Sequence, residues 1–142
     1  MNNQLSTKSN MLKLLFVGLG GFAGAILRYL VSIFVGQLFT NSAYPYATFV
    51  VNIIGCFLIG ILTRLTETSY DTDIGQMLVR PETRLLIFIG FLGAFTTFST
   101  FSNEAFMLLQ KSRFDVALLY VAGSVLAGLL AVWVGRQIAV LF

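Results

Sequence analysis

Within the third apolar segment the sequence reads Gly90-Phe91-Leu92-Gly93-Ala94-Phe95-Thr96-Thr97-Phe98-Ser99-Thr100-Phe101-Ser102-Asn103-Glu104. Five of these residues carry hydroxyl groups and two are glycines, with phenylalanines threaded among them. Hydroxyl groups in hydrocarbon need hydrogen-bond partners, and glycines and back-bonding hydroxyls weaken a helix. The pattern predicts a helix that breaks at membrane depth, where its backbone faces protein or a polar cavity. The alternative is a packing seam, because Gly, Ser and Thr also line tight helix interfaces in membranes.

The composition around this segment is that of an integral membrane protein. The 142 residues are 57% hydrophobic and 11% charged, with a mean hydropathy of +0.87. Soluble domains average about 25% charged residues. We therefore expect one integral membrane domain over residues 1–142. The chain has no histidine and a single cysteine, Cys56, which excludes histidine–metal chemistry, histidine-dependent triads and an internal disulfide. The cations are scattered among loops, so no nucleic-acid surface is expected.

Four apolar segments predict an all-α membrane protein with four transmembrane helices, at about 11–35, 46–63, 85–109 and 116–136. The one substantial loop is predicted between Arg64 and Arg84, where Pro81 is expected to end any helix. Four spans place both termini on one side of the membrane. Six cations lie on that side and two on the other: Lys8, Lys13, Arg64, Arg80, Arg84 and Arg136 against Lys111 and Arg113. This bias favours cytoplasmic termini.

Each span carries polar groups that need an explanation. Arg28 interrupts the first span and faces a polar cavity or a partner, or else snorkels to the interface. Asn52 lies in the middle of the second span, with Thr48 one turn earlier on the same face. An amide at this depth joins helices or contacts a ligand. Tyr120 and Ser124 share one face of the fourth span.

These residues do not suit an enzyme, because a nucleophile–base pair, embedded acids and a metal-ligand cluster are all missing from the sequence pattern. Glu104 is expected at the interface, at a helix end. Neutral amides and hydroxyls can replace the hydration shell of a small anion, and phenyl ring edges are electropositive. Phe98 and Phe101 can share one helical face for this purpose, although aromatic stripes at this spacing also arise from packing.

Two other functions are compatible with four short spans. A small multidrug transporter would need a carboxylate deep in a span, and the sequence suggests none there. A membrane scaffold without transport activity would show no ion flux.

Three elements resemble the CrcB/Fluc fluoride channels: Gly24-Ala25-Ile26-Leu27-Arg28-Tyr29, Thr48-Phe49-Val50-Val51-Asn52, and the Gly90–Glu104 string quoted above. The similarity covers nearly the whole chain, with the elements in the right order. The resemblance implies a passive, fluoride-selective channel in the bacterial inner membrane that exports fluoride and lowers its toxicity. It also implies an antiparallel, dual-topology dimer with two pores, each built from both subunits.

The resemblance also assigns roles to individual residues. It implies that Asn52 is the pore amide and that Phe98 and Phe101 are the pore aromatics. The supporting polar positions that it implies are Thr48, Ser99, Thr100, Tyr120 and Ser124. The broken helix implies a central structural Na⁺ held by the backbone carbonyls of Gly93 and Thr96 from both subunits. We expect Arg28 to serve a vestibule that draws anions toward the pore.

Two features depart from the family pattern. One turn beyond Ser124, where the pattern can carry a serine, this chain has Gly128, which has no side-chain donor. The six-to-two cation bias is larger than dual topology suggests. A fixed orientation with a homologous second chain is therefore an alternative to the homodimer.

Overall fold

The computed structural model describes residues 2–67 and 73–141, with side chains from residue 10 onward. The described chain consists of helices joined by short turns. Its elements are α1 (Asn2–Leu38), α2 (Tyr46–Glu67), α3 (Asp73–Val79), α4 (Pro81–Arg84), a π-helical segment (Leu85–Leu92), α5 (Gly93–Phe95), α6 (Phe98–Gln110), α7 (Phe114–Ile138) and a closing 3₁₀ turn (Ala139–Leu141).

Four stretches are long and apolar enough to cross a membrane: Asn10–Leu38, Tyr46–Glu67, Pro81–Gln110 and Phe114–Leu141. They enclose the four predicted ranges, and the expected all-α architecture with four spanning helices is confirmed. The third span is composite, running from α4 through the π-helical segment and α5 to α6. Many large apolar side chains on these helices are exposed, as expected for surfaces that meet lipid or another subunit.

The region predicted as a loop from Arg64 to Arg84 is partly helical, and that prediction was wrong in its extent. Helix α2 continues to Glu67, and α3 packs against α2 with Leu78 buried. Pro81 helps to end α3, which stops at Val79, and also begins α4. Proline fits the first helical position because the missing N–H would have no partner there. Arg80, with φ −58° and ψ 136°, takes the extended conformation that a following proline favours, and so separates α3 from α4.

Helix α1 packs closely against the third span at glycine positions. A Cβ atom on Gly20 would collide with the Leu86 carbonyl, and one on Gly24 would collide with the Phe91 carbonyl. The Gly24–Phe91 contact lies further along both segments than the Gly20–Leu86 contact, so the first and third spans run parallel. This backbone-to-backbone contact explains Gly20 and Gly24, because a side chain at either position would force the two helices apart.

The other large contact joins α2 and α7 in the same way. The Cα of Gly60 faces the Val132 carbonyl, and that of Gly135 faces the Phe57 carbonyl, too closely for a Cβ in either case. These two helices therefore form a close-packed pair that carries polar residues from both spans toward the third.

The third span breaks where the hydroxyl-rich stretch predicted. Thr96 and Thr97 are extended, with ψ of 158° and 112°, between the end of α5 and the start of α6. The Thr97 hydroxyl caps α6 by accepting a hydrogen bond from the Thr100 backbone N–H at 3.3 Å. The Thr96 hydroxyl donates to the Leu92 carbonyl at 3.0 Å. The Thr97 hydroxyl thus satisfies a backbone N–H that the break would leave unpaired, whereas the Leu92 carbonyl also accepts from the Thr96 backbone N–H at 3.0 Å.

Candidate functional site

Asn52 on α2 forms hydrogen bonds with the backbone at the helix break. Its Oδ1 accepts a hydrogen bond from the Thr97 backbone N–H at 3.0 Å, and its Nδ2 donates to the Thr97 carbonyl at 3.3 Å. Gly55 lies beside the same break and has no room for a Cβ against the Thr96 methyl group. A primary amide carries two N–H donors. Among the described residues the second donor of Asn52 has no partner, so it remains available to a ligand.

A carboxylate lies between three helices one turn beyond Phe101. The Thr48 hydroxyl of α2 donates to Glu104 Oε1 at 2.9 Å, and the Tyr120 hydroxyl of α7 donates to Oε2 at 2.8 Å. Thr48 and Tyr120 are buried. Glu104 lies within Pro81–Gln110, six residues before its end, so the carboxylate expected at a helix end also belongs to a network of three helices. Its position on the same helical face as Phe101 and Thr100 was the available signal.

The two predicted pore aromatics have different surroundings. Phe101 lies between Phe98 and Tyr120, with ring centroids 5.9 Å and 5.0 Å away. Phe98 is 78% exposed. Phe101 therefore belongs to the packed junction of α6 and α7, whereas Phe98 presents its ring to open space beside the break.

A cavity of about 470 Å³ lies along the break. The predicted site residues among its lining are Asn52, Gly93, Thr96, Phe98, Phe101 and Ser124. The Ser124 hydroxyl oxygen is buried and has no hydrogen-bond partner among the described residues. Gly93 and Thr96 border the cavity from either end of α5. The end of α5 leaves carbonyl oxygens without helical partners, and such hard oxygens suit Na⁺.

The second cavity, of about 270 Å³, contains Arg28 in its lining together with Thr48, Thr97 and Thr100. Arg28 therefore borders a polar pocket, which is the first of the two alternatives that its sequence position left open. Thr97 lines both cavities, so the backbone held by Asn52 lies between them.

The remaining predicted positions are further from this arrangement. Ser99 is exposed on α6 and is absent from the lining of both cavities. Gly128 is buried, and a Cβ there would come within 3.3 Å of the Cys56 sulphur. The site thus has no side chain at the position where the family pattern can carry a serine.

Tyr44, in the turn before α2, is a neighbour of the site that the sequence did not single out. Its ring meets Tyr120 edge-on, with centroids 5.3 Å apart. Burial, with Tyr46 beside it, raises the pKa of the Tyr44 hydroxyl above its usual value. The group therefore stays protonated, as a hydrogen-bond donor, at neutral pH.

Comparison with known proteins places this architecture in a family. The model of the family described as "CrcB-like protein, Camphor Resistance (CrcB)" matches residues 15–136, which include the break, Asn52 and Glu104. This chain belongs to the CrcB-like family. A relative from Shewanella woodyi is 44% identical over 128 residues, covering 90% of this chain and 96% of the relative. Relatives from Shewanella loihica and Shewanella frigidimarina are 43% and 44% identical over the same shares.

All three relatives are named "Fluoride-specific ion channel FluC". This name describes an ion channel and not an enzyme. With its four spanning helices, this CrcB-like protein is a multi-pass protein of a bacterial membrane.

Proposed function

We propose that this CrcB-like protein is a fluoride-selective channel that lets fluoride leave the cytoplasm passively across the plasma membrane. The observation that carries the proposal is the clamp between Asn52 and the broken third span, which lies between two cavities. Its relatives are named fluoride-specific channels, and the matched range contains the whole of this arrangement. Export of fluoride would protect the cell from its toxicity.

The chemistry of the cavities supports an anion that must exchange its hydration shell rapidly. The free N–H of Asn52 and the unpartnered Ser124 hydroxyl supply neutral donors. The Phe98 ring, exposed at the break, supplies an electropositive edge. Neutral donors release a bound anion more readily than a fixed cation would. Arg28 lines the second cavity, away from the helix break, so it would attract anions into the cavity without binding them at the break.

Glu104 supports this path indirectly. Its two oxygens accept the protons of the Thr48 and Tyr120 hydroxyls, which fixes the orientation of both groups. Thr48 lines the second cavity beside Thr100, so the network holds that wall in place. We regard Glu104 as a positioning residue for the pathway.

We propose that the functional unit is an antiparallel dimer with two pores. The Phe98 ring and the hydroxyls of Ser99 and Ser102 are exposed on one chain, although they lie within a spanning segment. Hydroxyl groups at this depth must be shielded from lipid, and a second subunit would shield them. A homologous second chain would satisfy the same surfaces, so partner identity is part of the test.

We further propose that Na⁺ lies on the dimer axis, bound by the backbone carbonyls of Gly93 and Thr96. One chain offers two such oxygens, whereas an alkali cation takes more ligands, so two copies would complete the site. The cation would offset the repulsion between carbonyl dipoles that face one another at the two breaks.

A proton-coupled multidrug transporter is the second candidate, because Glu104 places a carboxylate within a span. Both oxygens of that carboxylate are occupied by hydroxyl donors, and the relatives' names describe a fluoride channel. The two functions separate in cells. A bacterial strain that lacks its own fluoride exporter should regain growth in fluoride when it expresses this protein.

The Phe98→Ile variant is the matched negative control in that assay, because it keeps an apolar side chain but removes the aromatic edge. At equal membrane abundance, we expect it to restore growth poorly. Resistance to cationic drugs without resistance to fluoride would support the transporter, and resistance to neither would support a scaffold.

A further inference from the structure

One membrane end of the protein carries Lys13, Arg80 and Arg84, and the first two lie at similar heights. The first and third spans run parallel, with Gly20 against Leu86. Two residues that lie nearly the same number of positions before this contact, one in each span, are therefore at similar heights. Lys13 precedes Gly20 by seven residues and Arg80 precedes Leu86 by six, which is about 10 Å along a helix in each case. Contacts between α1 and α4 bring the two segments together at this level.

The cations at this end fall into two groups. Arg136 makes a two-pronged bridge to Glu67, at 3.0 Å and 2.8 Å, and Arg64 lies 3.5 Å from the same carboxylate. Lys13, Arg80 and Arg84, by contrast, are exposed and form no ion pair within residues 10–67 and 73–141.

Arg80 and Arg84 can act together. They are one helical turn apart, since the Arg84 N–H donates to the Arg80 carbonyl at 3.0 Å. Arg80 is the N-cap residue of α4 and Arg84 is its last residue, so one short helix carries both cations. Both guanidinium groups are exposed and without an ion pair among residues 10–67 and 73–141.

Helix α3, directly before this pair, has an unusual exposed face. Ile74 and Met77 are 55% and 48% exposed and three residues apart, while the residue after each of them, Gly75 and Leu78, is buried. Helix α3 lies between Glu67, which ends the second span, and Pro81, which begins the third, so it lies at the membrane surface. An apolar face in that position is stabilised where it enters the boundary between headgroups and acyl chains.

We propose that α3 and the three cations Lys13, Arg80 and Arg84 form a binding site for anionic phospholipid. Ile74 and Met77 enter the acyl boundary, and the two guanidinium groups bind the headgroup phosphate with charge-assisted hydrogen bonds. Lys13 adds a third positive charge. In the proposed antiparallel dimer, one copy of this site would face each leaflet, and an anionic headgroup would complement its positive charge. The site is separate from the ion pathway and does not depend on the identity of the ion.

The test uses the full-length protein purified in an uncharged detergent. Phosphatidylglycerol or phosphatidylcholine with the same acyl chains is added, and bound lipid is counted by native mass spectrometry. We expect wild type to retain phosphatidylglycerol in preference to phosphatidylcholine. Loss of two phosphate-binding cations in Arg80→Gln/Arg84→Gln should lower phosphatidylglycerol retention about tenfold or more. The phosphatidylcholine background should not change.

Two further variants identify the cause of any loss. Arg80→Lys/Arg84→Lys keeps the charges and should recover most of the retention. Lys111→Gln removes an exposed cation at the turn between α6 and α7, at the other membrane face, and should bind as wild type. Equal retention of both lipids by wild type, or undiminished phosphatidylglycerol retention in the glutamine double variant, would overturn the proposal. So would an equal loss in Lys111→Gln.

Discussion

Substitution of Asn52 separates its two possible roles, as a clamp for the helix break and as a donor to the permeating anion. Asn52→Leu removes both hydrogen bonds to the Thr97 backbone. An unpaired buried group costs about 1–3 kcal/mol. Thr97 is half-buried and lines both cavities, where water can partly replace the amide. We therefore expect Asn52→Leu to destabilise the fold by roughly 2 kcal/mol, near the low end of this range for the two groups.

Asn52→Asp changes the same position differently. Its carboxyl group keeps an oxygen that accepts from the Thr97 N–H, and when protonated it also donates to the Thr97 carbonyl. In neither protonation state does it have a spare donor for an anion. A hydrogen bond to a charged group contributes about 1.5–3 kcal/mol, so its loss at the rate-limiting barrier should slow fluoride about tenfold to a hundredfold.

The assay pairs fluoride efflux from liposomes with thermal unfolding of the purified protein. We expect Asn52→Asp to be more stable than Asn52→Leu and yet to conduct poorly. Asn103→Asp and Asn103→Leu are matched controls, because Asn103 is an exposed amide that lines neither cavity. If Asn52→Asp conducts as wild type while Asn52→Leu does not, Asn52 is a clamp only, and the proposed donor role is refuted.

Three further predictions concern the surroundings of the break. Glu104→Gln replaces one acceptor oxygen by an NH₂ donor, so the hydroxyl of Thr48 or of Tyr120 must accept instead of donate and loses its hydrogen bond to a carboxylate; we expect the free energy of unfolding to fall by about 1–2 kcal/mol and flux to fall with it, and unchanged unfolding would contradict the network. Arg28→Gln should reduce fluoride flux more at low than at high ionic strength, because salt screens long-range attraction; a loss independent of salt would indicate a structural role. Replacing Na⁺ throughout by a large organic cation should weaken flux and the dimer together, whereas unchanged flux after thorough removal of sodium would count against the proposed cation site.

The sequence predicted the four spans and the broken third helix because both depend on local composition. Apolar length sets the spans, and Thr96 and Thr97 mark the break because their hydroxyls can replace the backbone bonds of a helix. The close approach of α1 to the third span also depends on local composition, because Gly20 and Gly24 have no side chains to prevent it.

The partners of the polar residues could not be predicted in the same way, because they come from different helices. Asn52 and Thr97 are 45 residues apart, and Thr48 and Glu104 are 56 apart. The sequence of one segment does not show whether a carboxylate near a helix end is exposed or is hydrogen-bonded by side chains of two other helices. Pro81 ends one helix, as predicted, but its second role as the first residue of α4 was not predicted.

The most direct test of the account is fluoride efflux from liposomes that contain the purified wild-type protein, recorded beside chloride efflux under the same conditions. Valinomycin and internal potassium balance the charge, so passive movement of the anion limits release. We predict rapid fluoride release, with chloride release no greater than in protein-free liposomes. Fluoride release at the protein-free rate, or equal release of the two anions, would contradict the proposal that this protein is a fluoride-selective channel.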